Sequence, residues 1–485
     1  MLKYILVCVC ICVLAPAKDV FAQKKPIKPI AKPIKVIAKL PTTPQDKPKP
    51  FVVQPVKKPQ RIQPPTKLFG DLAKADSIFS IDLSDKKLAF LPKEIGLLKN
   101  LKKLDLYQNS LTTLPNEVSE LQNLEEINLG ANKKLNLRDA CQKLAKLPKL
   151  RKIRLNNNNF TVLPAEIGLL ANLQVLDLQQ NALTNLPAEI GNLRNLRELY
   201  LPANKFLKLS DGLLRLDSLL LLDMYGNQMR TLPNDIVLMK SLKVLNISHN
   251  NLDSLPSSFS NMKNISEIYL NANPKVNLAR VCLVLAPIMS VAVLNFAENG
   301  VQKITENIGK LENLEELYLQ DNYIAEINPA IGKLTKLRIL SLSKNKFMRF
   351  PAEIAQLVAL TEIDLSQNPQ LDFKDSFKKF QPLYNLKKID LSGCGFTNIP
   401  VEVDFLQNIQ EMNFSQNQIT ETGEHLTMLK KLSRLNLAQN QIQKLPSDLH
   451  EWQLLKELYL YDNLIDGIEE RRIKEKLPTA KIYFE

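Results

Sequence analysis

The sequence predicts an α/β solenoid in which one concave parallel sheet of about 17 short strands is backed by convex helical turns. Three observations support this fold class. A nine-residue phrase with apolar residues at its first, fourth and sixth positions occurs seventeen times between residues 78 and 463. Thirteen of the sixteen spacings between phrases are 23 residues, and three are 26. Aromatic residues make up only 6% of the chain, so leucine has to fill the core.

The first 22 residues have the pattern of a secretory signal peptide. Lys3 is followed by eleven apolar residues, Tyr4 to Leu14, and Ala22 is a small residue before the expected cleavage at Gln23. Eleven residues are too few to span a bilayer, although an uncleaved anchor is the alternative. We therefore expect a secreted, periplasmic or cell-surface protein with no transmembrane span after cleavage.

Residues 23–67 form a basic, proline-rich segment. It contains eleven prolines and a net charge of +11, which leaves only +2 for residues 68–485. Prolines at this density predict a disordered linker with polyproline-II character. The linker is either a self-repelling spacer or a contact for an envelope polyanion, such as a glycan or lipid head groups. Its interleaved Ile and Val residues are poor stacking partners for bases, so a nucleic-acid ligand is not expected.

The repeated phrase predicts a strand followed by a turn. In LQVLDLQQN at Leu173 and LEELYLQDN at Leu314, apolar residues four and six point inward, and residues three, five and seven point outward. Most units continue with LPxxIxxL, as at Leu163 and Leu186, where proline fits the first position of a helical turn. Strands of successive units should stack into one parallel sheet, with the bulkier helical turns on its other side.

These seventeen units, which cover about 400 residues, resemble leucine-rich repeats. The resemblance rests on LxxLxLxxN and on the LPxxIxxL segment, and the 23-residue period looks like the "typical" class found in the Ras-group repeat proteins. With the signal peptide, it suggests a secreted, bacterial-type member of the family. The resemblance implies a horseshoe-shaped solenoid whose concave sheet is the binding surface.

Asparagine occupies the ninth position of fifteen of the seventeen phrases. Its side chain both donates and accepts hydrogen bonds, so it can satisfy the backbone where each strand turns toward the convex side. We interpret this ladder as structural. The two exceptions are Lys86, in the first unit, and Cys394, and the family pattern tolerates cysteine there.

Three units are longer and follow Asn132, Asn273 and Asn368. Each contains a capping residue, which predicts a full α-helix on the convex face. Cys141 and Cys282 occupy the same column of these helices and should be core residues. Together with Cys394 they lie on distant rungs, so no disulfide is expected.

The two ends of the repeats are predicted to be caps. Residues 68–77 should form an entry helix, with residues 68–75 helical. In residues 464–485 we expect a charged helix from Gly467 to Lys476 and a closing strand at residues 481–484. Solenoids need such polar ends to shield their cores.

The sequence contains little that could support catalysis. Three histidines, His249, His425 and His450, are scattered among the repeats, and neither HExxH nor GxSxG nor a paired CxxC occurs. We expect no enzymatic activity, no metal and no cofactor.

The concave face is the candidate binding surface, because it is the one broad surface that every repeat builds. Its central part combines tyrosines and acids, and Leu221, Val244 and Val293 should add outward apolar area. Tyrosine offers contact area and a polar group at low entropic cost, although it also simply suits a strand surface. The candidate ligand-binding residues are Glu198, Tyr200, Asp223, Tyr225, Glu267, Tyr269, Glu316, Tyr318 and Asp321.

Two functions are compatible with this organisation. The first is a secreted or envelope-associated module that recognises a protein or peptide on its concave face. The second is a structural or adhesive envelope protein whose basic segment, residues 23–67, binds a polyanionic surface. Deleting the segment distinguishes them, because only the adhesive protein would lose its retention on the surface.

Overall fold

The computed structural model describes Phe69 and residues 72–485. The predicted signal peptide, residues 1–22, and the predicted linker, residues 23–67, lie outside the described residues. The entry cap is described from Leu72 onward, where a 3-10 helix covers Leu72–Ser77. This helix ends two residues after the end of the predicted helix, residue 75.

The predicted parallel sheet is confirmed and has 18 strands, one more than the phrases, because the C-terminal cap contributes a strand at Lys481–Tyr483. Each strand pairs with the strand of the next unit, position for position, so that Leu176 lies between Ile153 and Leu199. The strands are β1 (Ser80–Asp82), β2 (Lys103–Asp105), β3 (Glu126–Asn128), β4 (Lys152–Arg154), β5 (Val175–Asp177), β6 (Glu198–Tyr200), β7 (Leu221–Asp223), β8 (Val244–Asn246), β9 (Glu267–Tyr269), β10 (Val293–Asn295), β12 (Glu316–Tyr318), β14 (Ile339–Ser341), β15 (Glu362–Asp364), β16 (Lys388–Asp390), β17 (Glu411–Asn413), β18 (Arg434–Asn436), β19 (Glu457–Tyr459) and β20 (Lys481–Tyr483).

The core lies between the sheet and the convex turns. Phrase positions four and six point into it, as Leu176 and Leu178 show with 0% exposure. One continuous hydrophobic cluster runs from Phe69 to Leu477. The repeats therefore form one solenoid core, as the unbroken phrase register predicts.

The 23-residue units turn on short 3-10 helices rather than α-helices. In eight of these units proline precedes the helix as its N-cap, one residue earlier than predicted; Pro164, for example, is extended with φ −72° and ψ 154°. Its carbonyl then accepts the i+3 bond from Ile167 N at 3.1 Å. The 3-10 helices span Leu72–Ser77, Lys93–Leu97, Asn116–Glu120, Ala165–Leu169, Ala188–Asn192, Leu213–Arg215, Asn234–Leu238, Ser257–Asn261, Glu306–Lys310, Pro329–Lys333, Ala352–Gln356, Val401–Phe405, Glu424–Met428 and Leu449–Glu451.

The three 26-residue units carry the predicted α-helices, α1 (Leu137–Leu144), α2 (Leu278–Leu285) and α3 (Phe373–Phe380). The side chains of the N-caps Asn136, Asn277 and Asp372 accept bonds from backbone N–H groups three residues later. Cys141 and Cys282 are buried at the predicted column, and burial raises the pKa of each thiol to about 12. The C-terminal helix α4 (Gly467–Lys476) has the predicted bounds.

A second, two-stranded sheet is a feature that the sequence did not predict. Its strands are β11 (Lys303–Ile304) and β13 (Glu326–Ile327). Thr305 and Asn328 occupy the positions where most units have proline. Because Asn328 has an N–H, it donates to Ile304 O at 3.1 Å, a bond that proline cannot make. Loss of proline in two neighbouring units thus allows extra strand pairing.

The asparagine ladder has the predicted structural role. Asn322, for example, is 3% exposed, and its Nδ2 donates to Phe296 O at 3.1 Å and to Leu319 O at 3.0 Å. Its Oδ1 accepts from Asn299 N at 3.0 Å and from Val301 N at 2.9 Å. Each side chain therefore joins the backbones of two successive turns. Cys394, which replaces the asparagine in its unit, makes a weaker contact of the same kind, with its Sγ 3.3 Å from Leu365 O.

Candidate binding face

The central concave face is built by strands β6 to β10 and β12. The registers place Glu198, Leu221, Val244, Glu267, Val293 and Glu316 in one row across these strands. A second row contains Tyr200, Asp223, Asn246, Tyr269, Asn295 and Tyr318. We call these two rows the central patch. Eight of the nine candidate residues lie on or beside it, whereas Asp321 lies at its rim.

Six candidate residues form three matching pairs within single strands. Residues two apart in a strand point to the same side, which brings each glutamate next to a tyrosine. The hydroxyl of Tyr200 donates to Glu198 Oε2 at 2.9 Å. The hydroxyls of Tyr269 and Tyr318 donate to the glutamates of their own strands, Glu267 and Glu316, at 3.0 and 2.9 Å. The patch therefore presents carboxylates that aromatic side chains hold in place.

Asp223 lies between these pairs and is almost fully buried, at 3% exposure. Its Oδ1 accepts a bond from Tyr225 N at 2.9 Å, so one of its roles is to hold the end of its own strand. Burial raises the pKa of its carboxyl to about 6, because the charged form loses hydration. Burial also raises the pKa of Glu267 above its usual value.

Tyr225 and Asp321 lie further along their phrases than the two rows of the patch. Tyr225 is half-buried, and its ring lies 4.7 Å from that of His249, a residue that the sequence analysis did not place in the site. Asp321 is exposed, and its Oδ2 lies 3.1 Å from Lys344 Nζ. It occupies the eighth phrase position, where the backbone has a positive φ of 55°.

The expected outward apolar area is smaller than the sequence suggested. Leu221 and Val244 are only 1% and 7% exposed, and Val293 is half-buried. The prediction of exposed aliphatic surface was wrong for Leu221 and Val244. They share a row with Glu198 and Glu267 on adjacent strands, so facing away from the core does not expose them.

Asn246 is a further member of the patch that the sequence did not single out. It is 1% exposed, and its Oδ1 accepts from Ser248 N at 3.1 Å. Its Nδ2 has no hydrogen-bond partner among the residues that the structure describes. A buried donor without an acceptor is costly, so the position of this amide in the patch calls for an explanation.

The two ends of the concave face carry cations that are already paired. Glu126 lies beside Lys152 and Arg154 near the N-terminal end. Toward the other end, Arg434 lies between Glu411 and Glu457, at 2.9 and 2.6 Å. The cations at the two ends of the face are thus already partnered by glutamates of the same sheet.

Within residues 72–485, no three His, Cys, Asp or Glu side chains converge in a way that could hold a metal ion. His425 and His450 lie in convex segments, away from the central patch. None of the described helices combines the length and apolarity needed to cross a bilayer. The patch has the groups of a recognition surface, namely aromatic rings, carboxylates and amides.

Family models match several parts of the repeat region. A leucine-rich repeat region model matches residues 129–227. Two further leucine-rich repeat models match residues 77–133 and 312–369, and residues 241–262 and 385–406. A search of the curated proteins finds no match.

Several solved structures resemble the chain. A leucine-rich repeat protein from Leptospira interrogans is 30% identical, with 85% of this chain and 97% of that one covered and a TM-score of 0.55. TLR13, solved as a complex with ssRNA13, is 20% identical, with 80% and 65% covered and a TM-score of 0.62. An internalin from Listeria monocytogenes is 21% identical, with 71% and 88% covered and a TM-score of 0.49.

Proposed function

Because this chain belongs to the leucine-rich repeat family, we propose that it is a binding module that recognises a protein or peptide on its concave face. The observation that carries the proposal is the set of three Glu–Tyr pairs on β6, β9 and β12. Tyrosines held by carboxylates are ordered before a ligand arrives, so less entropy is lost on binding. Aromatic side chains of this kind frequently dominate binding energy at protein interfaces.

The charge of the patch favours a protein or peptide over a nucleic acid. Glu198, Glu267 and Glu316 lie in one row, and residues 68–485 carry a net charge of only +2. Phosphate backbones are held by unpaired Lys and Arg side chains, and the central patch offers carboxylates instead. A ligand with basic groups is electrostatically matched to it.

The domain organisation is part of the proposal. It comprises a signal peptide (residues 1–22), a basic linker (23–67), an entry cap (68–77), seventeen repeats (78–463) and a C-terminal cap (464–485). This organisation corresponds to a secreted or envelope-associated protein. Detection of the mature N-terminus at Gln23 in secreted or surface material supports it, and a retained N-terminus contradicts it.

The test is an affinity series with a ligand obtained by pull-down with the mature protein. Changing Tyr200, Tyr225, Tyr269 or Tyr318 to alanine should each weaken binding by about 1–3 kcal/mol where the ring is an anchor. The matched control is Glu189→Ala, an exposed residue on a convex 3-10 helix, which should have almost no effect. Equal losses on both faces, or losses on the convex face alone, contradict the proposal.

An adhesive envelope protein is the second candidate, and the +11 charge of residues 23–67 is the observation that favours it. Deletion of these residues should then release the protein from the envelope, and high salt should do the same. Unchanged retention, with ligand binding preserved, rejects this second function and leaves the first intact.

A further inference from the structure

A fourth Glu–Tyr pair in the same sheet shows which group such a pair holds. On β19, the hydroxyl of Tyr459 donates to Glu457 Oε2 at 3.1 Å. The same carboxylate oxygen accepts a bond from Arg434 Nε, on the adjacent strand, at 2.6 Å. The ion pair lowers the pKa of Glu457 and raises that of Arg434. Here the chain itself places a guanidinium on a Glu–Tyr pair.

The Glu–Tyr pairs of the central patch differ in whether a cation of the chain lies near the glutamate. Glu316 has Arg338 Nη2 at 3.6 Å, from a side chain that is half-exposed and also lies near Glu315. Glu198 and Glu267 have no cation within ion-pair distance among the side chains of residues 75–485. Glu198 and Glu267 therefore accept a tyrosine hydroxyl as Glu457 does, but no cation of the described chain pairs with their carboxylates.

Between these two carboxylates lies the unpartnered Nδ2 of Asn246. In other strands of the sheet, an asparagine at the same phrase position donates a hydrogen bond to the aspartate of the preceding strand. Asn128 Nδ2 donates to Asp105 at 3.1 Å, and Asn413 Nδ2 donates to Asp390 at 2.9 Å. Asn246 follows Asp223 in the same order but does not make this bond. Its amide is therefore a buried donor on the concave side that lacks an acceptor within the described part of the chain, and a peptide carbonyl is a suitable one.

The spacing of the two carboxylates sets the spacing of their ligands. Glu198 on β6 and Glu267 on β9 are three strand steps apart, which corresponds to ~14 Å at about 4.8 Å per step. An extended peptide that crosses the strands advances ~3.3 Å per residue, so four residues cover this distance. Asn246, on β8, lies within the interval.

Building on the concave binding function proposed above, we propose that the ligand is an extended peptide segment with two basic side chains four residues apart. One basic group pairs with Glu198 and the other with Glu267, and a ligand carbonyl between them accepts the bond from Asn246. Arginine is the better residue, because its planar guanidinium can bond a carboxylate and also stack on the neighbouring tyrosine ring. The ligand thus repeats the arrangement that Arg434 makes within the chain.

The experiment uses the full mature chain and a synthetic probe. The probe is a capped nine-residue peptide with arginine at positions 3 and 7 and alanine or glycine elsewhere, measured by fluorescence anisotropy at physiological salt. Replacing one arginine by citrulline, which has nearly the same shape without the charge, should weaken binding at least about 10-fold. Moving the second arginine to position 5 should weaken it by a similar factor, because one carboxylate then stays unfilled.

Variants of the protein test whether Glu198 and Glu267 are the carboxylates that bind the two arginines. Glu198→Gln and Glu267→Gln should each weaken binding of the two-arginine peptide about 10-fold. Each change should also abolish the preference over the peptide with citrulline at the position facing the changed residue, and leave the preference over the other citrulline peptide. Glu189→Gln on the convex side is the matched control and should leave both unchanged, with circular dichroism verifying that all three variants are folded. No binding, or equal binding of the arginine and citrulline peptides, overturns the inference.

The outcome separates this inference from the broader function. A ligand that is lost with Tyr200→Ala but is indifferent to Glu198→Gln and Glu267→Gln refutes the two-cation model alone. A ligand that responds to convex changes and not to concave ones refutes the concave binding function itself.

Discussion

Removal of one ladder asparagine tests the energetics of the solenoid most directly. Asn322→Ala deletes a side chain that is 3% exposed and takes part in four hydrogen bonds of 2.9–3.1 Å. It leaves two carbonyls, of Phe296 and Leu319, and two N–H groups, of Asn299 and Val301, without this partner. An unsatisfied buried polar group costs about 1–3 kcal/mol, and water entering the vacated space recovers part of that. We expect a loss of about 3–4 kcal/mol in local stability.

The assay is hydrogen exchange at the amides of Asn299 and Val301, combined with the urea unfolding midpoint. A loss of 3 kcal/mol corresponds to about 100-fold faster exchange at these two amides. Repeat arrays need not unfold in one step, so the site-resolved rates are more informative than a single midpoint. The matched control is Asn192→Ala, an exposed asparagine at the end of a 3-10 helix. Equal exchange rates in the two variants would refute the ladder reasoning.

Two further changes test the ladder and the patch. Cys394→Asn should raise the free energy of unfolding by about 1 kcal/mol, seen as a higher urea midpoint, because Asn158, which also follows a 26-residue unit, donates to Leu129 O and Leu155 O at 3.0 Å where Cys394 offers only a thiol. An unchanged or lower urea midpoint contradicts this. The pKa of Asp223 is raised to about 6, so the fold favours its neutral form, and its contribution to stability is lost as pH rises from ~4 through about 6. The free energy of unfolding should therefore fall between pH 4 and pH 7 by about 2–3 kcal/mol less in Asp223→Asn than in the unchanged protein, as measured by urea unfolding at both pH values. An identical decline in both proteins contradicts the raised pKa of Asp223.

The sequence predicted the fold closely because a 23-residue period constrains every unit in the same way. Leu176 and Leu178 had to point inward once the phrase was aligned, and the capping residues Asn136 and Asn277 marked the α-helices. The 3-10 form of the shorter turns was not predicted, because it depends on how few residues have to span the convex side. The strand pairing next to Asn328 was also not predicted, because the absence of a proline permits an extra strand but does not by itself indicate one.

The candidate site was predictable only in outline. Phrase position alone places Glu198 and Tyr200 on the same side of one strand, but it cannot specify that the hydroxyl bonds the carboxylate, since that depends on side-chain rotamers. The burial of Leu221 and the unpartnered amide of Asn246 depend on neighbouring strands, which a single repeat does not encode. The sequence therefore placed these residues on one face of the sheet, while their hydrogen bonding and burial had to come from three-dimensional contacts.

The ladder also bears on how such a chain can change its length over evolutionary time. Each asparagine donates to carbonyls of its own turn and of the preceding one, and its Oδ1 accepts from the preceding turn, as at Asn109. Duplication of a gene segment that encodes 23 residues adds one whole unit in register. This unit brings both the amide needed by the turn before it and the carbonyl needed by the turn after it. The same holds for removal of a whole unit. The 26-residue units keep the same ladder bonds, as at Asn158 and Asn299, because their three extra residues lie in the convex helix. An insertion that changes the spacing between a strand and its asparagine breaks the ladder, so recombination in whole units is the route by which the concave surface can be lengthened or re-spaced without destabilising the protein.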